Sequence, residues 1–178
     1  APYFDPEMLK TENGKKEIKR VTGIYYKVLH DSIRKFDKNH LILGDRYNAF
    51  RPYSEEIIKS ALPYIDVLSI QHFDTVPNLI SSIKKWSTYQ KPVLLADFAF
   101  LQKDAKGKKH NTMDYRLFLN QIIDLPNCIG IHLCGAYLKN EVRKYGLKDE
   151  EDKVFEETND LIESNHKLLK VFRENIEC

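Results

Sequence analysis

The stretch Lys91-Pro-Val-Leu-Leu-Ala-Asp-Phe98 places four consecutive apolar residues between a proline and an aspartate. A short apolar run without alternation is the mark of a strand buried on both faces, and such strands belong to parallel sheets covered by helices. We therefore read a strand over Pro92 to Ala96 that delivers Asp97 at its carboxyl end. Upstream, Pro77 opens a helix with Leu79, Ile80, Ile83 and Trp86 inward. Downstream, Thr112 caps a helix with Tyr115, Phe118, Leu119, Ile122 and Ile123 inward, ahead of a strand at Cys128 to Leu133. Helix, strand and helix in alternation point to βα units.

The same unit recurs toward the N-terminus. Ile18, Val21, Tyr25, Val28, Leu29, Ile33 and Phe36 keep one face of a helix between Glu17 and Lys38 apolar, and we expect that face to be buried. His40 to Gly44 reads as a strand ending in glycine. Ser54 caps a helix carrying Ile57, Ile58, Ala61 and Leu62, and Pro63 stops it before a strand at Asp66 to Ile70. The chain closes on a helix with Leu161, Ile162, Asn165, Leu168, Leu169 and Phe172 on one side. Four βα units preceded by one helix give a parallel sheet with right-handed crossovers. No GxGxxG or GxxxxGK[ST] follows any strand, which removes the phosphate cradles of dinucleotide and P-loop folds.

The expected fold class is α/β, with parallel (β/α) units forming the second half of a TIM-type barrel. Residues 1–178 make a single partial domain, because 178 residues fall short of the ~250 that a closed eight-stranded α/β barrel takes. A four-stranded parallel sheet leaves two open edges, so a second copy or an N-terminal half-barrel is expected to close it. The opening at Ala1, inside a polar turn, reads as a processed or excised piece. At 42% hydrophobic and 30% charged residues the composition is that of a globular protein, and a net charge of +2 offers no purchase for nucleic acid or an anionic membrane. No apolar run reaches the ~18 residues of a membrane span. Cys128, Cys134 and Cys178 have neither disulfide-framework nor zinc spacing, and the first two read as small buried hydrophobes.

In parallel α/β folds the residues at the strand ends share one crevice. Here that crevice collects Asp45-Arg46-Tyr47, Gln71-His72-Phe73, Asp97-Phe98-Ala99-Phe100, and His132 followed by Cys134-Gly-Ala-Tyr137. A carboxylate, a guanidinium, an amide, imidazoles and aromatic rings suit a polyol better than a metal, and no HxH or HExxH spacing is present. No cofactor is expected. Each residue also has a plainer reading: Asp97 as a loop cap or an ion pair with Arg46, His72 and His132 as hydrogen-bonded core histidines, Asp45 as a brace. The run Lys103-Asp-Ala-Lys-Gly-Lys-Lys-His110 reads as a solvated loop or as a strap over an anionic sugar.

Taken in order, Lys38-Asn-His-Leu-Ile-Leu-Gly-Asp-Arg46, Tyr64-Ile-Asp-Val-Leu-Ser-Ile70, Lys91-Pro-Val-Leu-Leu-Ala-Asp-Phe98 and Tyr145-Gly-Leu-Lys-Asp149 resemble the C-terminal half, strands five to eight, of retaining (β/α)8 glycoside hydrolases. Within that group the chain is most similar to the β-agarases and their relatives. The resemblance implies a polysaccharide substrate, an extracellular or periplasmic location, and Asp97 at the position of the catalytic nucleophile. Arg46 and His72 would orient it and the sugar hydroxyls. Gln71 and His132 would complete the rim, and Tyr47, Phe73 and Phe100 would offer stacking surfaces.

Three departures bear on mechanism. The family nucleophile is a glutamate, one methylene longer than Asp97. The family acid/base, in an Asn-Glu pair after strand four, lies outside this chain; Glu12-Asn13 has the reverse order and reads as an end-of-loop pair. A tryptophan is implied after the last strand, where Leu133 follows His132. Retaining hydrolysis needs two carboxyl groups ~5 to 5.5 Å apart, so the chain alone is expected to be inactive. The alternative is a degenerate barrel that binds a polysaccharide without turnover.

Overall fold

The computed structural model describes residues 6–49, 54–100, 112–125, 127–134 and 147–176, with backbone alone at 99–100, 112–114, 157 and 172–176. Helix α1 (Glu12–Arg34) leads into β1 (Tyr47–Asn48) and α2 (Glu55–Ala61). Then come β2 (Leu68–Asp74), α3 (Val76–Ser87), β3 (Val93–Phe100), α4 (Thr112–Ile122), β4 (Cys128–Leu133) and α5 (Glu156–Ile176). Short 3-10 turns at Pro6–Lys10 and Leu62–Tyr64 precede α1 and follow α2. The strands form one open parallel sheet in the order β1-β2-β3-β4, as expected of an incomplete (β/α) barrel.

Local chemistry accounts for most boundaries. The Thr11 side chain accepts from Gly14 N–H to start α1, and Ser54 accepts from Glu56 N–H to start α2. Pro63 cannot continue the α2 ladder, and the chain tightens into a 3-10 turn there. Leu79, Ile80, Ile83 and Trp86 of α3 are all buried, as are Tyr115, Phe118, Leu119 and Ile122 of α4. These meet Leu68, Ile70, Val93, Leu95 and Phe98 in one core on the helix side of the sheet.

Four expectations need correction. The run His40 to Gly44 is not the first strand: pairing with β2 is confined to Tyr47–Asn48. Gly44 sits at φ +66, which breaks the extended run. Only Ile42 engages the β2 side, its carbonyl accepting from Asp66 N–H at 2.8 Å and its N–H donating to the Asp66 carboxylate at 2.8 Å. Strand β2 starts two residues later than expected and runs on to Asp74, and β3 runs on to Phe100, so Gln71, His72, Phe73 and Asp97 lie within strands and not beyond them. Glu12 and Asn13 lie in the first turn of α1 and not in a loop, with Glu12 paired to Lys15.

The fourth correction concerns α1. Its apolar spacing is real, but of the seven residues only Ile18 is buried; Val21, Tyr25, Val28, Leu29 and Ile33 are exposed, and Phe36, just past the helix, is 92% exposed. The helix instead packs on α2, where the Ser60 hydroxyl donates to the Lys19 carbonyl at 3.2 Å, and its Tyr26 reaches Asp45 and Tyr47. Its C-terminal end is tied to the sheet by Arg34, which donates to the His40 carbonyl at 2.8 Å and pairs with Asp66 at 2.7 Å.

Gly44 is required twice over. Its φ is left-handed, and a Cβ there would meet Ile65 Cγ2 at 2.8 Å. Gly44→Ala is therefore expected to cost about 1 to 3 kcal/mol, read as a lower urea midpoint at unchanged slope.

Candidate functional site

Just beyond Leu95, strand β3 carries one residue more than its neighbours. Leu95 pairs with Ile70 while Asp97 pairs with Gln71, leaving Ala96 as the extra residue of a β-bulge; β4 sees the same interruption between Leu95 and Phe98. Side chains alternate along a strand. Without the bulge Asp97 would share the helix-side parity of Val93 and Leu95. With it, Phe98 takes that side and packs on Phe118 at 5.2 Å between ring centroids, while Asp97 turns to the opposite face beside Gln71. The bulge is the device that aims the carboxylate.

Bulging also leaves a backbone carbonyl outside the ladder, and here the site supplies its partner. His132 Nδ1 lies 2.9 Å from the Ala96 carbonyl oxygen and donates to it. The ring is thereby held with its proton on Nδ1 when neutral.

Asp97 is 8% exposed. Both donors within reach converge on one of its oxygens: Gln71 Nε2 at 2.5 Å and Arg46 Nη1 at 3.1 Å, each to Oδ2. Among the described residues none bonds Oδ1. Arg46 comes from just before β1 and keeps its side chain 55% exposed, so its charge reaches over the mouth. Register places Asn48 beside Gln71 and Phe73 beside Ala99, which adds Asn48 and Phe73 to the same face. Asn48 is the residue that sequence reading missed, because the expected strand ended four residues earlier at Gly44.

Two expected site residues fall on the other face. Tyr47 pairs in register with Ile70 and is 2% exposed. Its ring stacks on Trp86 at 5.6 Å, and its hydroxyl meets Tyr26 at 2.8 Å. Tyr26 donates in turn to Asp45 at 2.7 Å, so Tyr47 is the donor to Tyr26. Burial, then the bonds to Tyr47 and Asp45, hold the Tyr26 phenol far above its ordinary range. Tyr47 thus has no open face for a sugar, and Asp45 is a brace. His72 is the register partner of Phe98, and its Nε2 lies 3.5 Å from Asp74, away from Asp97. Phe100 closes β3, but its side chain, the run 103–110 and Tyr137 lie outside the described residues. Among the described residues no cluster of three His, Cys, Asp or Glu could hold a metal, and no helix is long and apolar enough to cross a membrane. Cys128 and Cys134 are half-buried, and burial pushes the Cys128 thiol upward.

His72 makes the fold pH-sensitive. Burial lowers its pKa below 6.5, against the opposing pull of Asp74. The unfolded chain therefore binds the proton more readily. Stability is whole above pH 6.5 and drains as pH falls through the lower folded value. Thermal midpoints are expected to fall from pH 6.5 downward, and to fall less steeply in His72→Gln. Asp74 acts in a separate window below its reference 3.8: burial raises it, but bonds from Asn78 and the Thr75 N–H lower it further.

No protein-family model matches the chain. Among curated proteins it is similar to Beta-agarase B of Vibrio sp. (strain JT0107), 26% identical over 143 residues, covering 72% of this chain and 15% of that protein. Among solved structures it superposes on the agarase AgWH50C at TM-score 0.68 with 16% identity, over 88% of this chain and 25% of the other. On BpGH50 the TM-score is 0.64 with 20% identity, over 89% and 39%. An endo-beta-1,3-glucanase from Lentinula edodes follows at TM-score 0.55 and 9% identity, over 81% and 62%. The chain spans well under half the length of both the agarases and BpGH50. The likeness is to the fold of several TIM-barrel glycoside hydrolases and not to agarases alone. With an open four-stranded parallel sheet and a polar strand-end face, this chain is a partial (β/α) barrel that resembles carbohydrate-active TIM-barrel glycoside hydrolases.

Proposed function

We propose that the chain is the nucleophile-bearing part of a retaining polysaccharide hydrolase acting on agar-like galactans. The observation that carries this reading is the asymmetry of Asp97, with Oδ2 held by Gln71 and Arg46 and no donor to Oδ1 among the described residues. A nucleophilic carboxylate needs that division: one oxygen fixes the group's orientation and the other attacks. Oδ1 would bond to the anomeric carbon as the glycosidic bond to the leaving oxygen breaks. A carboxylic acid from outside this chain would protonate that oxygen. The same group, now a base, would then take a proton from the water that hydrolyses the glycosyl ester. Asn48, Phe73 and His132 line the face on which the sugar would lie. The galactan preference leans on the similarity to the Vibrio β-agarase.

A second reading, binding without turnover, is favoured by one observation: among the described residues the side-chain partners of Asp97 are Gln71 and Arg46, and no second carboxyl group meets it. Reducing-end release from agar by the full-length gene product separates the two. The hydrolase reading expects release by wild type and none by Asp97→Asn, with oligosaccharide binding retained in both. Equal release by the two proteins sinks it, and binding by wild type without any release selects the second reading.

A further inference from the structure

One hydroxyl of α1 fixes how the chain enters β1. Tyr26 Oη donates to Asp45 Oδ2 at 2.7 Å and accepts from Tyr47 Oη at 2.8 Å. Both partners therefore turn their side chains toward α1, and they flank Arg46. Side chains two apart in an extended segment share a face, and the one between them takes the other. Arg46 accordingly points to the site face, where its Nη1 stands 3.1 Å from Asp97 Oδ2.

The sheet by itself does not hold Arg46 there. Pairing with β2 begins at Tyr47, so Arg46 stands just ahead of the ladder, and Gly44 before it turns at φ +66. The Arg46 side chain is 55% exposed. An exposed arginine gains little from an ion pair unless its geometry is held, because rotamer freedom and solvent screening offset the attraction. The clamp, by contrast, is rigid. Tyr26 is buried with its ring edge-on to Tyr25 at 5.0 Å between centroids, and Tyr47 is buried against Trp86. Burial, with the bonds to Tyr47 and Asp45, also keeps the Tyr26 phenol protonated, so it stays a neutral donor.

We propose that Tyr26 is a positioning residue for Asp97 that acts through Arg46: its hydroxyl clamps Asp45 and Tyr47 so that the guanidinium between them is aimed at Oδ2 of the carboxylate. The inference rests on the reading of Asp97 as the attacking group and deepens it, since a buried hydroxyl outside the site face sets the placement of the cation that orients the nucleophile.

Turnover of an agar-like galactan by the full-length gene product gives the first readout. Tyr26→Phe keeps the ring and removes the clamp, and is expected to lower kcat on the order of 10-fold with KM within about twofold. In an Arg46→Met background the same substitution is expected to cost less than about twofold, because the group it positions is gone. Asp45 is exposed, so its variants leave the core intact. Asp45→Ala is expected to lose about fivefold, and Asp45→Asn, whose amide oxygen still accepts from Tyr26, to stay within about twofold of wild type. Wild-type turnover in Tyr26→Phe overturns the proposal, as does a loss of the same factor with and without Arg46. Equal losses in Asp45→Ala and Asp45→Asn would assign the effect to charge and overturn the clamp.

The second readout does not depend on hydrolysis. In the 178-residue chain carrying isotope-labelled arginine, the Arg46 guanidinium resonance is identified by its loss in Arg46→Met. It is expected to move on Asp97→Asn, and to move roughly half as far or less when Tyr26→Phe is also present. An equal displacement in both backgrounds overturns the proposal. If the full-length protein shows no turnover at all, the hydrolase reading fails, and this resonance alone decides whether Tyr26 aims Arg46.

Discussion

Inserting one alanine between Asp97 and Phe98 is expected to lower the unfolding midpoint of the chain sharply. The insertion adds a residue to β3 beyond its bulge, so Phe98 reverses its facing while Leu95 and Asp97 keep theirs. Phe98 would leave its position against Phe118 for the open face, a loss on the scale of about 3 to 5 kcal/mol for a buried aromatic. Domains hold only about 5 to 15 kcal/mol in total. Deleting Ala96 acts differently: Asp97 then follows Leu95 directly, ordinary alternation gives Asp97 and Phe98 the faces they already have, and the smaller loss expected is that of the bulge itself. Urea titration followed by far-ultraviolet circular dichroism distinguishes the two. An insertion variant with the wild-type midpoint would show that strand register does not fix Phe98 against α4.

That bulge also marks the limit of what the sequence discloses. Element type and order were legible because apolar periodicity and caps are local: Ser54, Pro63, Pro77 and the Cys128–Leu133 run each announce their own structure. The strand-end crevice was legible as a set of residues, of which Arg46 and Gln71 meet Asp97 while His132 bonds the Ala96 carbonyl. Facing was not legible, because it depends on register between strands distant in sequence. A simple alternation from Val93 puts Asp97 on the wrong side, and nothing in Leu95-Ala96-Asp97 signals the insertion. Tyr47 and His72 were misplaced for the same reason: proximity to a strand end does not state which face a side chain takes. The α1 face was recognised as apolar, but periodicity reports that a face prefers burial and not what buries it.

The largest effect on function is expected at Asp97, and the two obvious substitutions separate the competing readings. Asparagine preserves the shape at Asp97 but provides a neutral amide in place of the attacking carboxylate. In the full-length gene product, Asp97→Asn is expected to lower turnover on the order of 10⁴-fold or more, the scale of losing a nucleophile in other covalent hydrolases, while leaving oligosaccharide affinity within a few-fold. Glutamate tests length. The resemblance to enzymes with glutamate here suggests that Asp97 stands about 1 Å short, and a displacement of that size changes rate on the order of 100-fold. The geometry argues otherwise: Gln71 at 2.5 Å and Arg46 at 3.1 Å already converge on the carboxylate at aspartate's reach. A longer arm would carry the group past both donors, so Asp97→Glu is expected to lose activity on the order of 100-fold. A gain of that size in steady-state hydrolysis would mean that the site is set for glutamate and that the aspartate records decay of catalysis, which is the binding-only reading. Loss in both variants leaves Asp97 as a working nucleophile whose shorter arm is matched to its clamp.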